Sequence, residues 1–119
     1  MYTYPFEKLG VWYDAKELAK SIYLLTSSFP SSEKYGLISQ LRRASISICS
    51  NLSEGSSRST KKDQSHFTTL AFSSAMEVIN QLIISQELGY IDHGAYCECR
   101  RKIEPLTNKL NALRNSQRS

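Results

Sequence analysis

Four stretches of this chain set apolar residues at alternating three- and four-residue steps, a period that fits helices and excludes most strands. In the first, Val11, Ala15, Leu18, Ile22, Leu25 and Phe29 form one stripe, which predicts a helix over about residues 6–28, closed by Phe29-Pro30. The second contains "QLRRASISICSNLSEG", residues 40–55, whose centre alternates like a strand. Counting decides the matter. Leu37, Leu41, Ala44, Ile48 and Leu52 keep helical spacing through the whole stretch, whereas a period of two accounts only for Ile46, Ile48 and their serine neighbours. The expected helix covers about 32–54, with Ser31 or Ser32 as its cap, Glu33 in its first turn and Gly55 as a left-handed stop. Ser45, Ser47 and Ser50 are small enough to let a neighbouring backbone come close.

The third stretch, about 60–88, has Ser59 or Thr60 to cap it, Asp63 early in it and Gly89 to end it. It carries two apolar stripes. Phe67, Ala71, Ser74, Val78 and Leu82 suffice for a bundle core, while Phe72, Met76, Ile79 and Ile83 lie about 100° further round. The second stripe is read as an oligomer interface, because leaving four such side chains wet forgoes roughly 1.5–3 kcal/mol each. The alternative is a helix wrapped by its own bundle. The fourth stretch, about 92–113, sets Tyr96, Cys99, Ile103, Leu106, Leu110 and Leu113 on one face; Pro105 predicts a kink or a fresh start, and the tail 114–119 is expected to fray. The expected fold is all-α, an antiparallel up-down-up-down four-helix bundle forming one domain over 1–119.

A net charge of +4 and a pI near 9.0 tilt the chain toward acidic partners. The candidate phosphate contacts are Arg42 and Arg43, the loop set Arg58, Lys61 and Lys62, and the run Arg100, Arg101 and Lys102. On one copy these are thin, but a symmetric assembly repeats them, and counterion release adds over contacts. Trp12, Phe67 and Phe72 fall on helical stripes and are read as packing, so any nucleic-acid binding is expected to read backbone and shape. Glu54 is expected to pair with Arg58 or to cap the loop, and Glu77 to be buried and paired with an arginine of the second helix.

Catalysis is not indicated: His66 and His93 lack a nucleophile–base arrangement, the serines lack a strained elbow, and no phosphate-cradling glycine loop occurs. No metal and no cofactor is expected, since Cys97 and Cys99 point about 200° apart on a helix. Cys99 reads as core and Cys97 as a surface thiol. Three cysteines, with no leader ahead of the first helix, point to a reducing cytoplasm. Apolar runs such as "LIIS" fall short of a membrane span, so no membrane association is expected.

The residues Trp12 and Ala15, Phe29-Pro30 with Glu33, Tyr35-Gly36-Leu37, Gln40 through Ala44, Ser47-Ile48, Asn51, Glu54-Gly55, Ala71, Ser74, Glu77 and Leu88-Gly89-Tyr90 together carry a resemblance. Over about residues 6–113 the chain resembles the bacterial four-helix-bundle proteins encoded within intervening sequences of large-subunit ribosomal RNA genes. Ser73 and Ser53 stand where the family pattern has glycine and alanine. The resemblance implies a homopentameric, barrel-like assembly. The chain is also similar to the accessory protein of diversity-generating retroelements, which implies two kinds of partner: RNA or DNA, and a protein such as a reverse transcriptase. The expected function is a non-enzymatic scaffold that binds nucleic acid, with an adaptor for a partner enzyme as the alternative.

Overall fold

The computed structural model describes residues 1–118. After a single 3-10 turn, Pro5–Lys8, come α1 (Gly10–Thr26), a second such turn, Ser31–Glu33, then α2 (Leu37–Ser56), α3 (Lys61–Glu87) and α4 (His93–Arg118). Each helix packs on the next, and α1 closes against α4, leaving α1 and α3, and likewise α2 and α4, on the diagonals. This is the all-α up-and-down bundle that the four apolar stripes require. At about 1.5 Å per residue the 27 residues of α3 reach nearly the full 44 Å length of the molecule.

The stripes meet on the bundle axis. Leu18 and Ile22 of α1, Leu41 and Ile48 of α2, Val78 and Leu82 of α3, and Ile103, Leu106 and Leu110 of α4 are shut off from solvent. Ile46, the residue that a strand would have placed beside Ile48, is 44% exposed. The interface of α2 with α3 is the most extensive in the bundle. Small residues are buried along these two helices, Ala44 on α2 and Ala71 and Ala75 on α3; Gly55 stands against Phe67 and Gln64 of α3, and the Ser74 hydroxyl donates to that of Ser47 at 2.9 Å.

Several boundaries differ from the sequence expectation, each for a local reason. Leu9 is extended (φ −78°, ψ 120°), so α1 starts at Gly10 and not near Phe6. It stops at Thr26 because the hydroxyls of Thr26, Ser27 and Ser28 turn back onto the carbonyls of Ile22, Leu24 and Leu25 at 2.7, 2.6 and 3.0 Å. Neither Ser31 nor Ser32 caps α2. Glu33 does, its Oε2 accepting from the Leu37 N–H at 2.9 Å, while its Oε1 accepts from the Tyr90 hydroxyl at 3.3 Å. Gly55 is no left-handed stop but a buried residue inside α2. Gly89 is left-handed, with φ 78°. Its N–H bonds the Gln86 carbonyl and that of Tyr90 the Ser85 carbonyl, both at 2.9 Å, the paired closure of a Schellman motif.

The expected fraying is also corrected. Helix α4 runs unbroken through Pro105, whose ring faces solvent, and on to Arg118. Polar residues anchor its end in place of apolar ones: Gln117 Oε1 accepts from the Thr68 hydroxyl at 2.7 Å, and the Arg114 guanidinium lies 4.7 Å from the Phe72 ring. Ser119, included in that expectation, lies outside the described residues. Helix α3 is long and apolar enough to cross a membrane, with a mean hydropathy of 1.3 over its best 18 residues, so the expectation of no such stretch was too strict. The Val78 and Leu82 side of that helix is enclosed by the bundle, as in the central helix of a packed core.

Candidate nucleic-acid interface

The structure sorts the basic residues by what else holds them. Arg42 is committed to the fold: its Nε donates to the Thr26 hydroxyl at 2.9 Å, its guanidinium reaches the Tyr23 carbonyl at 3.4 Å, and it lies 4.6 Å from the Tyr23 ring. It places a cation on the C-terminus of α1, where the helix dipole favours one. Arg100 donates to the Tyr96 hydroxyl at 2.6 Å and pairs with Glu104 at 3.3 Å. The Tyr96 bond first, and then Glu104, push its guanidinium pKa up. Arg101 pairs with Glu98 at 2.6 Å, and the Lys102 ammonium donates to the Ser21 hydroxyl at 2.5 Å.

Arg43, Arg58, Lys61 and Lys62 make no ion pair among the described residues. Arg58 rests over the Phe67 ring at 4.7 Å, and its carbonyl accepts from Gln64 Nε2 at 3.0 Å. Lys61 opens α3 behind its cap, Thr60, whose hydroxyl accepts from the Asp63 N–H at 3.1 Å. Lys62 lines a cleft of about 450 Å³ with Ser65, Gln117 and Arg118. The loop set therefore shares one end of the bundle with Arg118, which lies beyond the last apolar residue of the α4 stripe. The acids nearest the loop set in sequence are Glu54 and Asp63. Of the two roles expected of Glu54, the ion pair with Arg58 is not formed among the described residues, and it is the Glu54 backbone carbonyl that accepts from the Ser57 N–H and hydroxyl, at 3.1 and 2.7 Å. The three basic groups do not merge into one surface, because Arg42 and Arg43 sit on α2 and Arg100, Arg101 and Lys102 on the diagonal helix α4.

Glu77 is exposed, not buried, because it lies on the outer flank of α3. It borders a polar cleft of about 490 Å³ between α2 and α3, with Arg43, Gln40 and Gln81. The side-chain amide oxygen of Gln81, Oε1, is buried there without a donor.

The second stripe of α3 is divided. Phe72 and Ile79 pack half-buried against the core, while Met76 and Ile83 are 40% and 42% exposed. A second apolar face, missed from sequence, lies between α1 and α2: a groove of about 500 Å³ lined by Trp12, Ala19, Tyr23, Leu24, Ile46 and Cys49, with Leu24 77% exposed. Lys16 and Lys20 stand at its rim. Lys20 pairs with Glu17 at 3.1 Å and holds that carboxyl below its usual range.

Burial raises the thiol pKa of Cys99, and that of Cys49 to about 11, so neither ionises near neutrality. Cys97 is half-buried, with its sulfur 3.3 Å from His93 Nε2. Brief alkylation with iodoacetamide near pH 7.5 should therefore modify Cys97 well ahead of the other two, as read by peptide mass spectrometry. Equal labelling of Cys49 would contradict its enclosure. Among the described residues no three His, Cys, Asp or Glu side chains converge as metal ligands.

A model of the 23S rRNA-intervening sequence protein family matches residues 7–112. The fold is similar to the crystal structure of a protein with unknown function from the S23 ribosomal protein family of Bacteroides thetaiotaomicron, with a TM-score of 0.78 and 19% identity over 87% of this chain and 96% of that one. No curated protein matches the chain.

Proposed function

Because the chain belongs to the 23S rRNA-intervening sequence protein family, we propose that it acts without catalysis, as an oligomeric scaffold that holds RNA or DNA by the phosphates. The observation that carries this reading is the set Arg58, Lys61, Lys62 and Arg118 at one end of the bundle, where no ion pair claims them among the described residues. Uncommitted cations release counterions when they meet phosphate, whereas Arg42, Arg100 and Arg101 would first have to give up partners. Arg43 is a secondary contact. Arg42 is reassigned to stability.

Assembly is supported by the two unlike apolar faces, the α1/α2 groove and the Met76–Ile83 flank of α3. Different faces on different sides of one subunit suit head-to-tail contact, which gives a ring where the rotation between subunits closes. A pentamer is the form that the family resemblance suggests, and repetition would multiply the basic end.

The test is a salt titration of RNA binding by the parent and by an Arg58→Gln, Lys61→Gln, Lys62→Gln variant. Each lost phosphate contact should lower the slope of log affinity against log salt by about 0.7–0.9, so the triple change should remove about 2–3, with an unaltered helical spectrum. Unchanged affinity and slope would place the site elsewhere. Light scattering on the same samples should give several chain masses. A single chain mass would leave the α1/α2 groove open to another protein, and that groove is what favours the second reading, an adaptor for a partner enzyme.

A further inference from the structure

The basic end also carries rings. Tyr2 and Tyr4 are 72% and 58% exposed, yet they are held in order. Pro5 starts the 3-10 turn, the Tyr4 N–H donates to Glu7 Oε2 at 2.7 Å, and the Leu9 N–H donates to the Phe6 carbonyl at 3.0 Å. The rings follow one another: Tyr2 edge-on to Tyr4 at 5.0 Å, Tyr4 near-parallel to Phe6 (18°) with centroids 6.4 Å apart, and Phe6 edge-on to Trp12 at 5.0 Å. Phe6 and Trp12 are half-buried and anchor the series.

This segment is docked beside the free cations. Pro5 and Leu9 line a cleft with Leu52, Gly55, Gln64 and Gln117. Gln64 holds the Arg58 carbonyl, and Gln117 also borders the cleft of Lys62 and Arg118. Lys8, in the turn itself, is exposed and makes no ion pair among the described residues. The exposed tyrosine rings bury little and so add little to the fold. Ring faces beside uncommitted cations are the combination that grips unpaired nucleotides, in which a base stacks on a ring and its phosphate meets a cation. A duplex hides its base faces and offers the phosphates alone.

We infer that this end of the bundle binds single-stranded nucleic acid, with bases stacked on Tyr2 and Tyr4 and phosphates on Lys8, Arg58, Lys61 and Lys62. The inference rests on the phosphate-binding reading and adds to it the strand state of the ligand.

The experiment uses the full chain with two labelled probes of equal length, an unstructured oligoribonucleotide and a hairpin duplex. The parent should bind the single strand more tightly. A Tyr2→Leu, Tyr4→Leu variant keeps apolar bulk but loses both ring faces, and its single-strand affinity should fall about tenfold or more with duplex affinity unchanged. Tyr2→Phe, Tyr4→Phe should bind like the parent. If the leucine variant binds both probes as the parent does, the inference fails while phosphate binding stands. If the parent binds neither probe, both fail together. If the leucine variant loses only a protein partner, the rings are a protein contact and the inference is again overturned.

Discussion

Changing Ile48 to alanine should cost about 2–5 kcal/mol of stability, while the same change at Ile46 should cost the fold no more than about 0.5. The two isoleucines differ by one serine in sequence, but Ile48 is wholly enclosed and Ile46 is 44% exposed. Truncation at Ile48 removes three carbons from a site closed on all sides and leaves a cavity that rigid neighbours cannot fill. At Ile46 the lost methyls border the groove of α1 and α2, so any effect there should appear in self-association and not in the fold. Urea unfolding of the two variants, read by circular dichroism, gives the comparison directly. Similar losses at both positions would mean that this stretch is not the helix described.

Gly55→Leu should destabilise the bundle by about 1–3 kcal/mol or more through overpacking. A Cβ at Gly55 would stand 2.9 Å from the Phe67 Cβ and 3.6 Å from the Gln64 carbonyl oxygen, both on the facing helix. Neither is the free end of a flexible side chain, so α2 and α3 would have to move apart along their most extensive contact. Gly55→Ala should show a smaller loss in the same direction. A thermal melt of both variants decides it: a parental midpoint for the leucine change would mean that the helices are less closely apposed. Gly89→Ala is the useful contrast, since nothing crowds that site and its cost should come from the left-handed backbone alone.

What was legible in the sequence was whatever one helix decides for itself. The stripes that put Leu18, Ile48, Leu82 and Ile103 inside are local periodicities, and they fix the number and type of elements. The Thr60 cap and the Gly89 stop are local too. Roles that depend on a second helix were not legible. Arg42 looked like its neighbour Arg43 until Thr26 and Tyr23 of α1 claimed it. Gly55 looked like a stop because Phe67 could not be placed against it. The end of α4 looked unanchored because the partner of Gln117 is Thr68, on α3. Half of the second α3 stripe was assigned outward for the same reason: α4 claims Phe72 through Arg114. Tyr2 and Tyr4 lie ahead of the first helix and belong to no stripe, so helical periodicity carries no signal for them.

The order in which the helices close has a bearing on how the molecule is made. Ile103, Leu106 and Leu110 supply one whole wall of the interior, and they all belong to the last helix of the bundle. While that helix is still within the ribosome, Val78 and Leu82 stand open to water on the most membrane-like segment of the chain. Folding is therefore completed only after synthesis of this bundle ends, and a chain cut short before α4 should be a substrate for chaperones and proteases, not a smaller working protein.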